Sequence, residues 1–326
     1  MLNEKMVSLG SRRSVIREIF EYGKKRKAEI GEENVFDFSL GNPSVPAPAA
    51  VTAALERIIK ETDPVRLHGY TSAQGDMAVR AKIAGSIEKR FGFPANKDLI
   101  YMTCGAAASL TVTLNALVNS EDEIIIPAPF FPEYRVFAEN AGARVVTVMC
   151  REPDFQLDIK AIESAVNEKT KAIIINSPNN PTGAVFSPDT IKALSDMLVR
   201  KQAEYGTDIY IIADEPYREL SYGAEVPYIP KYYANTAVCY SYSKSLSLPG
   251  ERIGYIFIPE SANNSKKLYA AVCGAGRALG FVCAPSLMQY TVAECTDALP
   301  DISTYKKNRD LLFGALTDYG YKAVAP

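Results

Sequence analysis

The sequence predicts an α/β fold: a mainly parallel central sheet with helices on both faces, accompanied by a smaller α/β domain. Three observations predict it. Short β-rich runs, apolar on both faces, recur through the middle of the chain. Helical patterns lie between several of these runs, the alternation that builds a parallel sheet. The 326 residues, 47% hydrophobic, can bury a large core and are long for one ordinary domain.

In chain order, the Pro-rich "LGNPSVPAP" (40–48) reads as a linker and domain boundary. A large domain is expected over 46–300 and a small one from 1–45 with 301–326. "DLIYMT" (98–103) is the first strand; it leads through Cys-Gly into the helical "AAASLTVTLNALV". "DEIIIPAP" (122–129), "ARVVTVM" (143–149), "KAIIINSP" (171–178), "DIYIIADEP" (208–216) and "AVCYSYS" (237–243) are the following strands. "SPDTIKALSDMLVRKQAEYG" (187–206) is a helix that Ser187 or Asp189 can cap and Gly206 can stop.

Charge and cysteine usage exclude several functions. With 36 Lys+Arg against 38 Asp+Glu there is no electrostatic footprint for nucleic acid or an anionic membrane. The basic cluster "KKRK" (24–27) reads as a solvated helix end. No apolar stretch is long enough to span a membrane, and the polar N-terminus has no signal-peptide core. The six cysteines form no C-x-x-C pair and the single histidine, His68, cannot complete a zinc cluster, so no metal is expected. Thiols within apolar runs fit a reducing cytoplasm.

Ligands of such sheets bind beyond the carboxyl ends of the strands, so the polar residues after each run are the candidates. Lys244 stands in "SYSKSLSLPGERIGY" (241–255) beside Ser241, Ser243 and Arg252. A lysine amine forms a Schiff base when its pKa is lowered or its carbonyl partner is held, and two hydroxyls with a guanidinium suit a phosphate. Asp214 ends an apolar run, where an unpaired carboxylate is costly; a protonated pyridine nitrogen is one partner it could take. Tyr217 and Asn180 could hydrogen-bond a phenolic oxygen. Gly105, Ala106 and Ala107 open a helix with small side chains that let an anion approach the backbone. Phe131 or Phe130 could stack on an aromatic ring. Singly, each has a plainer reading: solvated lysine, capping carboxylate, turn, tight strand–helix packing, core phenylalanine.

Together, "LGNP", "Y-T-x-x-x-G", "T-x-G-A", "PFFPEY", "N-N-P-T-G", "D-E-x-Y", "S-x-S-K" and "G-x-R-x-G" run in order from Phe38 to Gly254. With this series the chain resembles the class I/II aminotransferases, which bind pyridoxal 5′-phosphate (PLP) in the fold type I of aspartate aminotransferase. Weaker similarity continues through "YKKNRDLLFGAL" (305–316). The resemblance implies an amino-acid:2-oxo-acid aminotransferase working by a ping-pong mechanism. Lys244 is implied as the Schiff-base lysine and the base for the substrate's α-proton. Asp214 is implied as the partner of the pyridine nitrogen, and Tyr217 and Asn180 as partners of the ring's 3′-oxygen. Ser241, Ser243, Arg252, Gly105 and the backbone of Ala106 and Ala107 are implied at the phosphate, and Phe131 on the ring. Tyr70 is implied to reach the neighbouring subunit's phosphate, making a homodimer the expected assembly, and Gly41 and Asn42 to line the substrate side, with Asn180.

Two departures from the family pattern matter. The arginine that grips the substrate α-carboxylate in the family has no match before Pro326, so part of the small domain is expected to lie beyond the sequence as given. Where some aspartate-specific relatives carry a lysine, this chain has Ala107, which argues against that mode of side-chain recognition. Arg277 could bind a second carboxylate or be a surface arginine. The same fold also hosts lyases and decarboxylases, and a non-catalytic PLP-binding dimer is a further alternative. A nicotinamide dehydrogenase is disfavoured because no G-x-G-x-x-G follows an early strand.

Overall fold

The computed structural model describes residues 2–11 and 15–325. By its internal contacts the chain divides into two compact units, Met1–Ser44 and Val45–Pro326, with the division inside the Pro-rich segment. The first unit carries the helices Glu4–Ser11 and Val15–Ile30. The basic cluster lies on the second of these. Lys25 and Arg26 pair with Glu29, and Lys27 with Asp37 at 3.7 Å, so the cluster is neutralised at the surface.

The second unit is built on a seven-stranded sheet. The strands are β1 (Ile100–Thr103), β2 (Glu123–Ala128), β3 (Arg144–Met149), β4 (Thr170–Asn176), β5 (Tyr210–Asp214), β6 (Thr236–Ser241) and β7 (Gly254–Phe257). Their order is β1-β7-β6-β5-β4-β2-β3. Every neighbouring pair is parallel except those of β7, which runs antiparallel to both β1 and β6.

Alternate residues of the central strands enter two separate cores, as a period of two requires. Ile173, Ile175, Ile211, Ala213 and Val238 join one core, which also takes Ile191, Leu194, Met197 and Leu198 of the helix Pro188–Tyr205. Ala172, Ile174, Tyr210, Ile212 and Cys239 join the other, with Leu110 and Leu114 of the helix Ala106–Leu117 and Val272 of the helix Ser265–Leu279. Helices therefore cover both faces, and the strands between them are apolar along their middles. Ser187 is the cap of the helix Pro188–Tyr205, accepting from Thr190 N–H, and Gly206 ends it at φ 66°.

Two elements differ from the sequence expectation. "ARVVTVM" was expected to be buried on both faces; as β3 it forms the sheet edge, with Arg144, Thr147 and Met149 exposed and Val148 buried. Having one neighbouring strand, it has no second side to cover. β7 was not expected as a strand, because four residues after a Pro-Gly turn carry too short a pattern to stand out. The helix Ile302–Asp318 counts with the second unit although none of its residues is buried. The cysteines are all unpaired; Cys239 and Cys295 are buried and the other four half-buried.

Candidate active site

The carboxyl ends of β1, β2, β4, β5 and β6 open on one edge of the sheet, and the antiparallel β7 begins there. Register makes this concrete. Thr103 lies opposite Gly254, and Gly254 opposite Ser241. Asn176 lies opposite Asp214, and Asp214 opposite Cys239. Chain segments that are far apart in sequence thus deliver Gly105, Arg252, Ser241, Lys244, Asp214, Tyr217, Asn180 and Phe131 to the same rim.

At one end is an anion cradle. Gly105 has φ 86° and precedes the helix Ala106–Leu117, whose first turn has no side-chain cap. Its amides, with Ala107 exposed, are left for a ligand. A Cβ at Gly105 would lie 2.8 Å from Arg252 Nη2, so the guanidinium sits directly against this turn and only glycine leaves room for it. A Cβ at Gly254 would strike the Tyr240 carbonyl and the Gly105 backbone, which is how closely β7 is wedged between its neighbours. Ser241, 1% exposed, donates its hydroxyl to Ser243 Oγ at 2.8 Å and accepts from Ser243 N–H at 3.2 Å.

Lys244 follows on the short helix Tyr242–Ser245. Burial and then the Arg252 charge lower its pKa below that of an ordinary lysine. A lysine in such a place is more often neutral, the form that acts as a nucleophile and accepts a proton.

The other end is centred on Asp214, 4% exposed at the end of β5. Tyr134 donates its hydroxyl to Asp214 Oδ2 at 2.5 Å, while Oδ1 is buried without a hydrogen-bond partner. Burial pushes the carboxyl up to about 7; the Tyr134 hydrogen bond opposes this and the Glu215 charge adds to it. Asn176 Nδ2 donates to the Asp214 carbonyl at 3.0 Å, and its Oδ1 accepts from Asn180 N–H at 2.7 Å. Asn180 Nδ2 in turn donates to Tyr217 Oη at 3.4 Å, and burial pushes the Tyr217 phenol up to about 12. Phe131 is half-buried, edge-on to Tyr134 with ring centroids 5.6 Å apart.

Four further positions named from the sequence are Tyr70, Gly41, Asn42 and Arg277. Tyr70 is 98% exposed. Gly41 and Asn42 belong to the first unit, where Asn42 N–H donates to the Leu40 carbonyl. Arg277 is exposed in the last turn of the helix Ser265–Leu279.

The family model for aminotransferase class I and II matches residues 33–326. The chain belongs to this family. The amino transferase of Eubacterium rectale, a solved structure, is 55% identical, covers 100% of this chain and 82% of its own, and superposes with a TM-score of 0.97. The aspartate aminotransferase of Thermotoga maritima is 26% identical over 98% of this chain and 82% of its own, with a TM-score of 0.84. The probable aspartate aminotransferase of Methanocaldococcus jannaschii is 27% identical over 313 residues, which are 94% of this chain and 77% of that protein. The chain is thus an enzyme of the PLP-dependent aminotransferases, with an amino acid and a 2-oxo acid as substrate classes.

The residues of this aminotransferase fit the cofactor. The unpartnered, buried Asp214 Oδ1 needs a cationic or donor group, and a protonated pyridine is one. The Gly105 turn, packed on Arg252, leaves an anion site where any side chain would intrude. Lys244, with lowered pKa, supplies an amine on the same rim. Among the described residues no helix is long and apolar enough to cross a membrane, and no cluster of His, Cys, Asp or Glu could hold a metal.

Two contributors were not read from the sequence. Asn176 ends an apolar strand just as Asp214 does, a signal that was available. Tyr134 stands three residues after Phe131, one helical turn on, but its partner lies 80 residues away and only the fold brings them together.

Proposed function

We propose that the chain transfers amino groups by a ping-pong mechanism with Lys244 as the covalent and proton-moving residue. The observation that carries this reading is one lysine of lowered pKa on the same strand-end rim as an anion cradle and a buried carboxylate with one oxygen unpartnered. Bound PLP supplies a carbonyl that exchanges amino groups and a ring that draws electrons from the substrate Cα. Ser241, Ser243, Arg252, Gly105 and the amides of Ala106 and Ala107 hold its phosphate. Asp214 Oδ1 would accept from the protonated ring nitrogen, and Asn180 and Tyr217 would donate to the 3′-oxygen. Phe131 covers one ring face. By holding the cofactor at both ends these residues would keep it oriented toward Lys244, which makes transfer effectively unimolecular. Lys244 Nζ would accept the proton from the substrate Cα and pass it on to the cofactor carbon that takes the amino group; its lowered pKa keeps more of it neutral for that task.

The homodimer is part of the same proposal. Tyr70 follows the "Y-T-x-x-x-G" pattern and is 98% exposed, which supports a role outside its own chain. Unpaired thiols support a reducing, cytoplasmic setting.

The test is an absorption spectrum of the purified protein with PLP, before and after an amino-acid panel, together with borohydride trapping and peptide mapping. A visible band, trapped at Lys244 and bleached by one amino acid in a way that a 2-oxo acid reverses, is the expected result. Release of ammonia and pyruvate without an acceptor would instead identify a lyase. No attachment at Lys244 would overturn the reading.

A further inference from the structure

We propose that Tyr134 is a positioning residue for the reaction: its hydroxyl holds Asp214 by one oxygen, in the carboxylate form, and leaves the other oxygen for the ring nitrogen of the cofactor. The proposal rests on the functional reading above and adds a residue to it.

The argument starts from the local chain. The helix Glu133–Asn140 begins just after Phe131, and Tyr134 N–H donates to the Phe131 carbonyl at 3.0 Å. This turn fixes Phe131 and Tyr134 relative to each other, with their rings edge to face at 85°. The residue proposed to cover the ring and the residue that reaches the carboxylate are therefore set by one helix start. Tyr134 is 2% exposed and Asp214 4%, so water competes with neither. The bond between them, at 2.5 Å, has the length of a charge-assisted O–H···O⁻ contact.

The proton has to be assigned. Burial raises the Tyr134 phenol well above its usual value, with the Asp214 charge adding to the rise. The proton between the two oxygens thus stays on Tyr134, and Asp214 accepts. The other groups facing Asp214 do not help it ionise. Glu215, the next residue, raises its pKa, and Tyr217 and Cys239 are neutral groups whose own ionisation Asp214 opposes. Tyr134 is the one neighbour that acts against burial. A carboxylate that lost this donor would be protonated more often and would hold a pyridine proton less well. A packing role alone needs only the ring, which phenylalanine supplies, so Tyr134→Phe separates the two roles.

The experiment follows the Asp214 carboxyl by its infrared C=O stretch across a pH series in the protein without PLP. Asp214→Asn identifies the band. In Tyr134→Phe the midpoint should rise by roughly one pH unit or more, the scale of one lost charge-assisted hydrogen bond. PLP should bind about tenfold more weakly. The ring nitrogen of ¹⁵N-labelled PLP should be less protonated, and kcat should fall more than KM rises. Incorporation of 3-fluorotyrosine at 134 keeps the shape, gives a more acidic hydroxyl, and should move the midpoint down; it also serves if Tyr134→Phe does not fold. An unchanged midpoint and unchanged PLP affinity in a folded Tyr134→Phe protein would overturn this proposal alone. A wild-type protein that attaches no PLP at Lys244 would overturn the functional reading, and with it any role of Tyr134 toward the cofactor.

Discussion

At the phosphate end of the proposed site, Arg252 is exposed, the donors are backbone amides and serine hydroxyls, and the residues come together through the register of β1, β7 and β6. At the ring-nitrogen end, Asp214 and Tyr134 are almost wholly buried and reach each other from elements 80 residues apart. The first end tolerates its charge because water and several partial donors share it. The second has one donor and is almost wholly buried, so its carboxyl is pushed up to about 7. An anion can be held by many weak hands, whereas a buried charge depends on each partner, because every missing one leaves a desolvated atom unpaid. Substitutions should therefore act steeply at the buried end and gradually at the exposed one.

The largest effect is expected at the buried end. Asp214→Ala should lower kcat/KM by roughly 10²–10³-fold, the scale of losing one preorganised charged partner, measured in steady state with saturating PLP. A loss below about fivefold would erase the contrast between the two ends.

Stability should show the same asymmetry with pH. The folded pKa of Asp214 lies above its ordinary value of 3.8. Its contribution is therefore full below about pH 4 and is lost as pH rises through about 7. Compared with Asp214→Asn, the PLP-free wild type should lose about 2–3 kcal/mol of unfolding free energy between pH 5 and 8. Urea melts at the two pH values measure it, and parallel curves would count against the burial argument.

Gly105→Ala carries the comparison to the other end. The new methyl group meets the mobile tip of Arg252 at a backbone φ of 86°, so both the turn and the guanidinium shift. Expected are about 1–2 kcal/mol of lost stability and roughly tenfold weaker PLP binding, seen in thermal melts and cofactor titration.

Ser243→Ala should be the mildest change. It removes one hydroxyl of a shared cradle, and a few-fold weaker PLP binding is expected from a neutral hydrogen bond among several. A hundredfold loss would show that the cradle is as brittle as the carboxylate.

Much of this was legible in the sequence. Five buried strands and the capped helix Pro188–Tyr205 announce themselves through uninterrupted apolar runs and through Ser187 and Gly206. Lys244, Asp214, Asn180 and Arg252 stand at strand ends, where parallel sheets bind ligands. What was not legible depends on strand order. β3 has the composition of a buried strand, and only its place beside β2 alone makes it an edge. β7 is four residues long, and its antiparallel course between β1 and β6 is a tertiary fact. The Tyr134–Asp214 bond is of the same kind: no local pattern encodes a hydrogen bond across 80 residues.

The wedged strand β7 also bears on what kinds of change the chain can accept. Ser241 and Gly254 are fixed opposite each other, so the stretch between them has both ends tied to neighbouring strands. It must carry Lys244 out of one strand and bring Arg252 back before the next. Here the number of residues is constrained in addition to the identity of the buried Ser245, Leu246 and Leu248. Replacing Ser247 or Glu251 alters a side chain; deleting either moves Arg252 off the Gly105 turn or turns every residue of β7 to the opposite face. Variation among descendants of this gene should accordingly fall at the exposed Gly250 and Glu251, spare the buried Ser245, Leu246 and Leu248, and be empty of insertions and deletions there.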